Sequence, residues 1–135
     1  MNISIEKHID APIDKVWEYW TKPNHITQWN FASEDWHCPI AKNELTEGKK
    51  FGWRMEAKDG SMGFDFEGTY TKILFQKLLE YRLGDDRFVR VLFEETEDGV
   101  KITESFEAEG TNSDEQQRLG WLAILKNFKS YVESN

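Results

Sequence analysis

A chain of 135 residues with 39% hydrophobic and 14% aromatic content has the length and composition of a single domain, here residues 1–135, built around one core. Its 25 acidic against 17 basic residues leave a formal charge of −8, which repels phosphate backbones and argues against nucleic acid as a partner. The one cysteine, Cys38, closes no internal disulfide. No apolar run reaches the roughly 18 residues of a membrane span, and the opening MNISIEKHIDAP carries charges where a secretory leader would be apolar, so the expected location is the cytoplasm, without membrane insertion.

ISIEKHI alternates as a strand and is punctuated by DAP at 10–12, with Pro12 suited to a first helical turn and Asp10 or Ala11 as its cap. A short helix bearing Val16, Trp17, Tyr19 and Trp20 follows. Thr21-Lys22-Pro23 interrupts it, and a second short helix runs over about 23–29 to Trp29. The pair lacks the basic face that reading DNA requires. From about residue 35 the apolar period changes to two. Asp59-Gly60, Gly84-Asp85-Asp86 and Asp98-Gly99 separate strands expected near 50–58, 61–73, 77–84, 87–96 and 100–109, with a further strand around 35–41. The 61–73 segment is long for a flat strand, and Gly63 and Gly68 offer places to bend it.

Ser113 and Gln116 then make a capping-box pattern, and a helix of about 20 residues follows with Trp121, Ile124, Leu125, Phe128, Tyr131 and Val132 on one stripe. Only the meander can bury that stripe. The order β-α-α-β(5-6)-α therefore predicts an α+β domain, a curved antiparallel sheet wrapped around a long C-terminal helix.

Phe51, Trp53 and Met55, then Met62, Phe64, Phe66 and Tyr70, then Leu79, Tyr81 and Leu83, then Val89, Val91 and Phe93 are expected to face that helix. On the last strand Val100, Ile102, Glu104, Phe106 and Ala108 share one phase, so a carboxylate stands in an apolar row. Glu104 must find a partner, turn outward at a bulge, or keep its proton in an apolar setting that suits an acid, a base or an anchor for a ligand hydroxyl. Arg54 and Glu56 belong to the opposite face, with Glu67 as the expected ion-pair partner. Trp36-His37-Cys38-Pro39 gathers polarizable side chains, but neighbours on a strand point apart, and His8, His25, His37 and Cys38 lack paired zinc spacings, so no metal or other cofactor is expected. No GxSxG, P-loop or GxGxxG turn occurs. Gly120 costs a helix about 1 kcal/mol against alanine; close packing beside Trp121 is the expected reason, ahead of simple tolerance and of room for a ligand.

The element order, with DAPIDKVWEYWTKPNHITQW, EGKKFGWRM and GWLAILKNFKSYVE, resembles the START-related helix-grip (SRPBCC) superfamily across nearly the whole chain. More narrowly it is similar to the bacterial branch related to the activator of the heat-shock-protein-ninety ATPase, whose members often carry a polyketide-cyclase-like label. The resemblance implies a hydrophobic cavity between sheet and long helix, and with it a lipophilic or planar aromatic ligand. Trp29, Trp53, Met55, Phe66, Tyr70, Trp121, Ile124 and Phe128 are the candidate lining, with Glu104 and His37 as polar anchors. Two alternatives stand beside this reading. One is a chaperone-binding role, although the chaperone activators add a second domain. The other is a cyclase-like enzyme with Glu104 as its acid or base and His37, Tyr70 or Tyr81 as companion.

Overall fold

The alternating segments and turn residues produce an antiparallel meander in the computed structural model, which describes residues 3–135. In chain order the elements are β1 (Ile3–Ile9), α1 (Ile13–Thr21), α2 (Pro23–Trp29), β2 (Trp36–Asn43), β3 (Lys50–Ala57), β4 (Gly63–Leu74), β5 (Leu78–Leu83), β6 (Phe88–Thr96), β7 (Gly99–Phe106) and α3 (Asp114–Ser134). The sheet runs β1-β7-β6-β5-β4-β3-β2, every pair antiparallel, so each hairpin of the meander joins neighbours and β1 alone closes over a long stretch of chain onto β7. The sheet curls as a half-barrel, open between β1 and β2. There α3 packs against β1 and α2 against β2.

The strand expected around 35–41 is present as β2, Trp36–Asn43. It forms the β2 edge, and its register shifts between His37 and Ile40, around Pro39, whose missing N–H is tolerable at an edge or bulge. The long β4 also carries a register shift, but between Tyr70 and Lys72 rather than at a glycine. Gly68 serves a different need. A Cβ there would stand 2.7 Å from the Arg82 carbonyl oxygen and 2.7 Å from the Phe51 ring, so only glycine lets the two neighbours approach.

Four local expectations are corrected. Pro12 is itself the N-cap of α1, with extended backbone, rather than a residue of its first turn. Met62 lies in the β3–β4 turn and is 66% exposed, not facing the helix. Arg54 pairs with Glu56 at 2.9 Å and with Asp65 at 3.4 Å; Glu67 stands opposite Gly52, one pleat away. The fourth concerns Gly120 and belongs to the site.

Ser113 caps α3 as its sequence predicts. Its Oγ accepts from the Gln116 N–H while Gln116 Oε1 accepts from the Ser113 N–H. The C-terminal half of α3 is held tightly. Leu125, Phe128 and Val132 are fully buried, Phe128 meets Trp20 and Trp29 edge-on at 4.8 Å each, and Lys129 donates to the His8 carbonyl of β1 while pairing with Glu133. The N-terminal half of α3 does not close on the sheet in this way, and it leaves a cavity there.

Candidate functional site

A cavity of about 390 Å³ lies between the N-terminal half of α3, the concave face of the sheet and the 30–33 segment after α2. That volume is in the range of small-molecule sites. The helix contributes Gln117, Gly120, Trp121 and Ile124; β3 and β4 contribute Trp53, Met55, Phe64 and Phe66; Trp20, Trp29, Asn30, Phe31, Ala32, Ser33 and Trp36 complete the lining. Five of the six tryptophans therefore line one space. Their rings brace one another: Trp121 stacks on Phe106 at 3.8 Å, Trp53 stacks on Phe66 at 5.5 Å, and Trp29 meets Trp53 edge-on at 6.5 Å. Rings fixed in this way hold a cavity open at low entropic cost when it is filled.

Glu104 is the polar centre. The β7 alternation that buries Val100, Ile102 and Phe106 turns its side chain inward too, where it is 6% exposed and lines the cavity. Its cross-strand neighbours are Ile5 on β1 and Val91 on β6, neither able to donate a hydrogen bond from its side chain. Among the described residues the carboxyl makes no hydrogen bond or ion pair, and burial alone pushes its pKa from 4.5 to about 8. At neutral pH it is thus mainly the protonated acid, able to donate one hydrogen bond and, once ionised, to accept several. Tyr81 on β5 faces the same cavity, also without a hydrogen bond; burial and then the nearby Glu104 hold its hydroxyl well above its ordinary pKa. The buried Trp53 Nε1 has no partner either. Of these, Trp53 Nε1 is the buried polar atom among the described residues that departs from the usual saturation of hydrogen bonds.

The rim is polar. Gln117 on α3 accepts from the Glu109 N–H through Oε1 and donates through Nε2 to the Asn112 carbonyl, while Glu109 accepts from Asn112, tying the β7–α3 connection across one side of the mouth. Arg87, paired with Asp85 at 2.7 Å, also reaches the lining.

Of the candidate lining residues, Trp29, Trp53, Met55, Phe66, Glu104, Trp121 and Ile124 come together here. Three do not. Phe128 is packed beneath Trp20 and Trp29, deeper in the core. Tyr70 donates to Asn43 Oδ1, and Asn43 in turn donates to the Thr21 carbonyl, which fixes that ring toward β2 and α1. His37 stands on the outer face beside Glu56, because strand alternation gives the inward direction to Trp36. Of the companions considered for an acid or base at Glu104, Tyr81 alone faces the cavity. Cys38 is buried beside Asn30, and desolvation raises its thiol pKa, away from thiolate chemistry.

Gly120 overturns the close-packing expectation. A Cβ there would meet nothing within 4 Å, and the residue is part of the cavity wall. Arg87, Glu109, Asn112 and the 30–33 segment escaped sequence reading because they sit in connections that carry no periodic signal, and Gln117 because it is a polar residue in the first turns of α3.

Residues 10–133 match the family described as "Activator of Hsp90 ATPase homolog 1-like protein". The chain belongs to that family. An activator-homologue-like protein from Aeromonas hydrophila, solved in solution, is 44% identical over 98% of this chain and 92% of its own, with a TM-score of 0.93. A solution structure from Cytophaga hutchinsonii is 49% identical over 100% of this chain and 94% of that one, at a TM-score of 0.85. A crystal structure from Chromobacterium violaceum reaches a TM-score of 0.86 at 19% identity, covering 97% of this chain and 96% of its own, a likeness of fold alone. No curated protein matches the sequence. The family membership and the half-barrel around α3 agree with the helix-grip resemblance and the α+β architecture read from the sequence. No helix among the described residues is long and apolar enough to cross a membrane.

Proposed function

We propose that this protein binds a lipophilic or planar aromatic small molecule in the cavity between α3 and the sheet. One observation carries the reading: a space of about 390 Å³, walled by five indoles, holds a buried carboxyl with no partner among the described residues. A cleft of this volume, lined mostly by aromatic side chains with a few polar groups, has the character of a small-molecule site. The test is an amide and indole NMR titration with fatty acids, planar aromatics and sterols, on the native protein and on Gly120→Phe, whose ring would project into the cavity. Saturable shifts at Trp53, Glu104 and Trp121 in the native protein, weakened at least tenfold in the variant, are expected. Shifts that ignore the Gly120 substitution would move the site elsewhere.

The family description favours a second reading, association with a chaperone. The formal charge of −8 gives it a physical basis in charge complementarity with a basic partner surface. Recovery of a chaperone at low salt, lost on charge reversal of acidic surface residues, supports that reading; recovery unaffected by charge reversal refutes it.

A further inference from the structure

We infer that the ligand of this cavity is an organic cation, an aryl- or alkyl-bearing ammonium whose positive end meets Glu104 while its apolar body lies against the indoles. The inference rests on the small-molecule reading above and names the ligand's chemical class.

Charge balance is the first argument. Glu104 is nine-tenths buried and faces the cavity, and no lysine, arginine or histidine among the described residues pairs with it. The basic residue in the lining, Arg87, is held at the mouth by Asp85. The other ionisable groups that line the space are Tyr81 on β5 and Glu109 at the rim; β3, β4 and the two short helices line it with apolar or aromatic side chains, and the register partners of Glu104 on β1 and β6 are the apolar Ile5 and Val91. Once ionised, the carboxyl has no positive partner among the described residues. A ligand that brings a cation matches the ionised form, whereas a carboxylate ligand would face a second acid in a confined, water-poor space.

The walls make the second argument. Indole faces attract cations through their quadrupole, most strongly among the aromatic side chains and more when water is excluded. Trp29, Trp53 and Trp121 line the same space as Glu104, although Trp121 and Trp53 each have one face covered by a stacked phenyl ring. Trp53 Nε1–H lies beneath the cavity surface and sets no charge preference. The third argument is long-range: a net charge of −8 raises the local concentration of cations and lowers that of anions.

The proton linkage gives a signature that distinguishes a cation from a neutral ligand. A fixed cation binds the ionised carboxyl, so its affinity rises with pH up to about 8 and then levels. A neutral ligand that accepts a hydrogen bond from the protonated acid shows the opposite slope. From the titration midpoint, the ionised fraction grows roughly fiftyfold between pH 6 and pH 8, and the cation's affinity should follow it.

The experiment uses the full chain and two probes of similar shape, (2-naphthylmethyl)trimethylammonium and 2-naphthylmethanol, titrated at pH 6, 7, 8 and 9 with the indole N–H signals as readout. The expected result is cation binding at least tenfold tighter than alcohol binding at pH 8, a roughly fiftyfold rise in cation affinity from pH 6 to 8, and loss of that rise in Glu104→Gln. Alcohol binding tighter than cation binding at every pH, or a cation affinity flat with pH, overturns the cation assignment while leaving the cavity reading intact. If neither probe moves the signals of Trp53 and Trp121, and the broader titration above is also silent, the cavity reading itself falls. The pH slope is read on the native protein, so the conclusion stands even if Glu104→Gln folds poorly.

Discussion

Replacing Glu104 by glutamine removes the proton but keeps the shape, and the consequence for stability can be worked out from the burial of this one carboxyl. In the native protein its pKa is raised from 4.5 to about 8 by desolvation. Below pH 4.5 both folded and unfolded chains hold the proton, so the acid and the amide should differ by less than about 1 kcal/mol. Between 4.5 and 8 the folded chain keeps the proton and the unfolded chain releases it, so folding must take a proton up and native stability falls as pH rises. The slope is about 1.4 kcal/mol per pH unit, which gives about 3 kcal/mol at pH 7 and a ceiling of about 5 kcal/mol above pH 8. Glutamine has no such loss. The stability of Glu104→Gln minus that of the native protein should therefore grow from near zero at pH 4.5 to about 3 kcal/mol at pH 7, a large fraction of the 5–15 kcal/mol typical of a domain. Urea unfolding followed by tryptophan fluorescence at pH 5, 6, 7 and 8 measures it, because every other titration is shared and cancels in the difference. A difference that stays constant from pH 5 to 8 would show that Glu104 is not kept neutral by burial, and the account of the site would fail with it.

Two glycines make opposite predictions. Gly120→Ala adds a methyl group where nothing lies within 4 Å and removes a mid-helix glycine, so thermal unfolding should show stabilisation by about 1 kcal/mol; destabilisation would mean the cavity wall is closed in solution. Gly68→Ala drives a Cβ to 2.7 Å from a backbone oxygen, which cannot yield as a flexible side chain does, so a loss of about 2 kcal/mol or more is expected in urea unfolding. An unchanged midpoint would refute the close approach of β3, β4 and β5 at that point.

The order of elements was legible because period and punctuation agreed at each step, and the phase of Val100, Ile102 and Phe106 marked Glu104, whose inward direction then depended on β7 running without a bulge. Tyr70 and Tyr81 share that inward phase and could not be separated by it. What separates them is a register shift just past Tyr70 and the Asn43 oxygen waiting for its hydroxyl, both properties of strands brought together from far apart. Phe128 and Trp121 likewise lie on one stripe, yet one seals the core and the other faces the cavity, since α3 closes on β1 only along its C-terminal half. Gly120 was misread for the same reason. A glycine's local cost is fixed by its helix, but what stands opposite it depends on where that helix parts from the sheet.

The pairing of β1 with β7 has a consequence for synthesis. Ile3 lies opposite Phe106 and Ile9 opposite Val100, so β1 leaves the ribosome roughly a hundred residues before its neighbour in the sheet exists. At about 5–20 residues per second that is an interval of about 5–20 s in which Ile3, Ile5 and Ile9 form an apolar edge with no partner, available to any other nascent strand. Glu6 and Lys7 interrupt that edge with charge. The half-barrel closes only once β7 has been made, and the cell must keep β1 from unsuitable company until then.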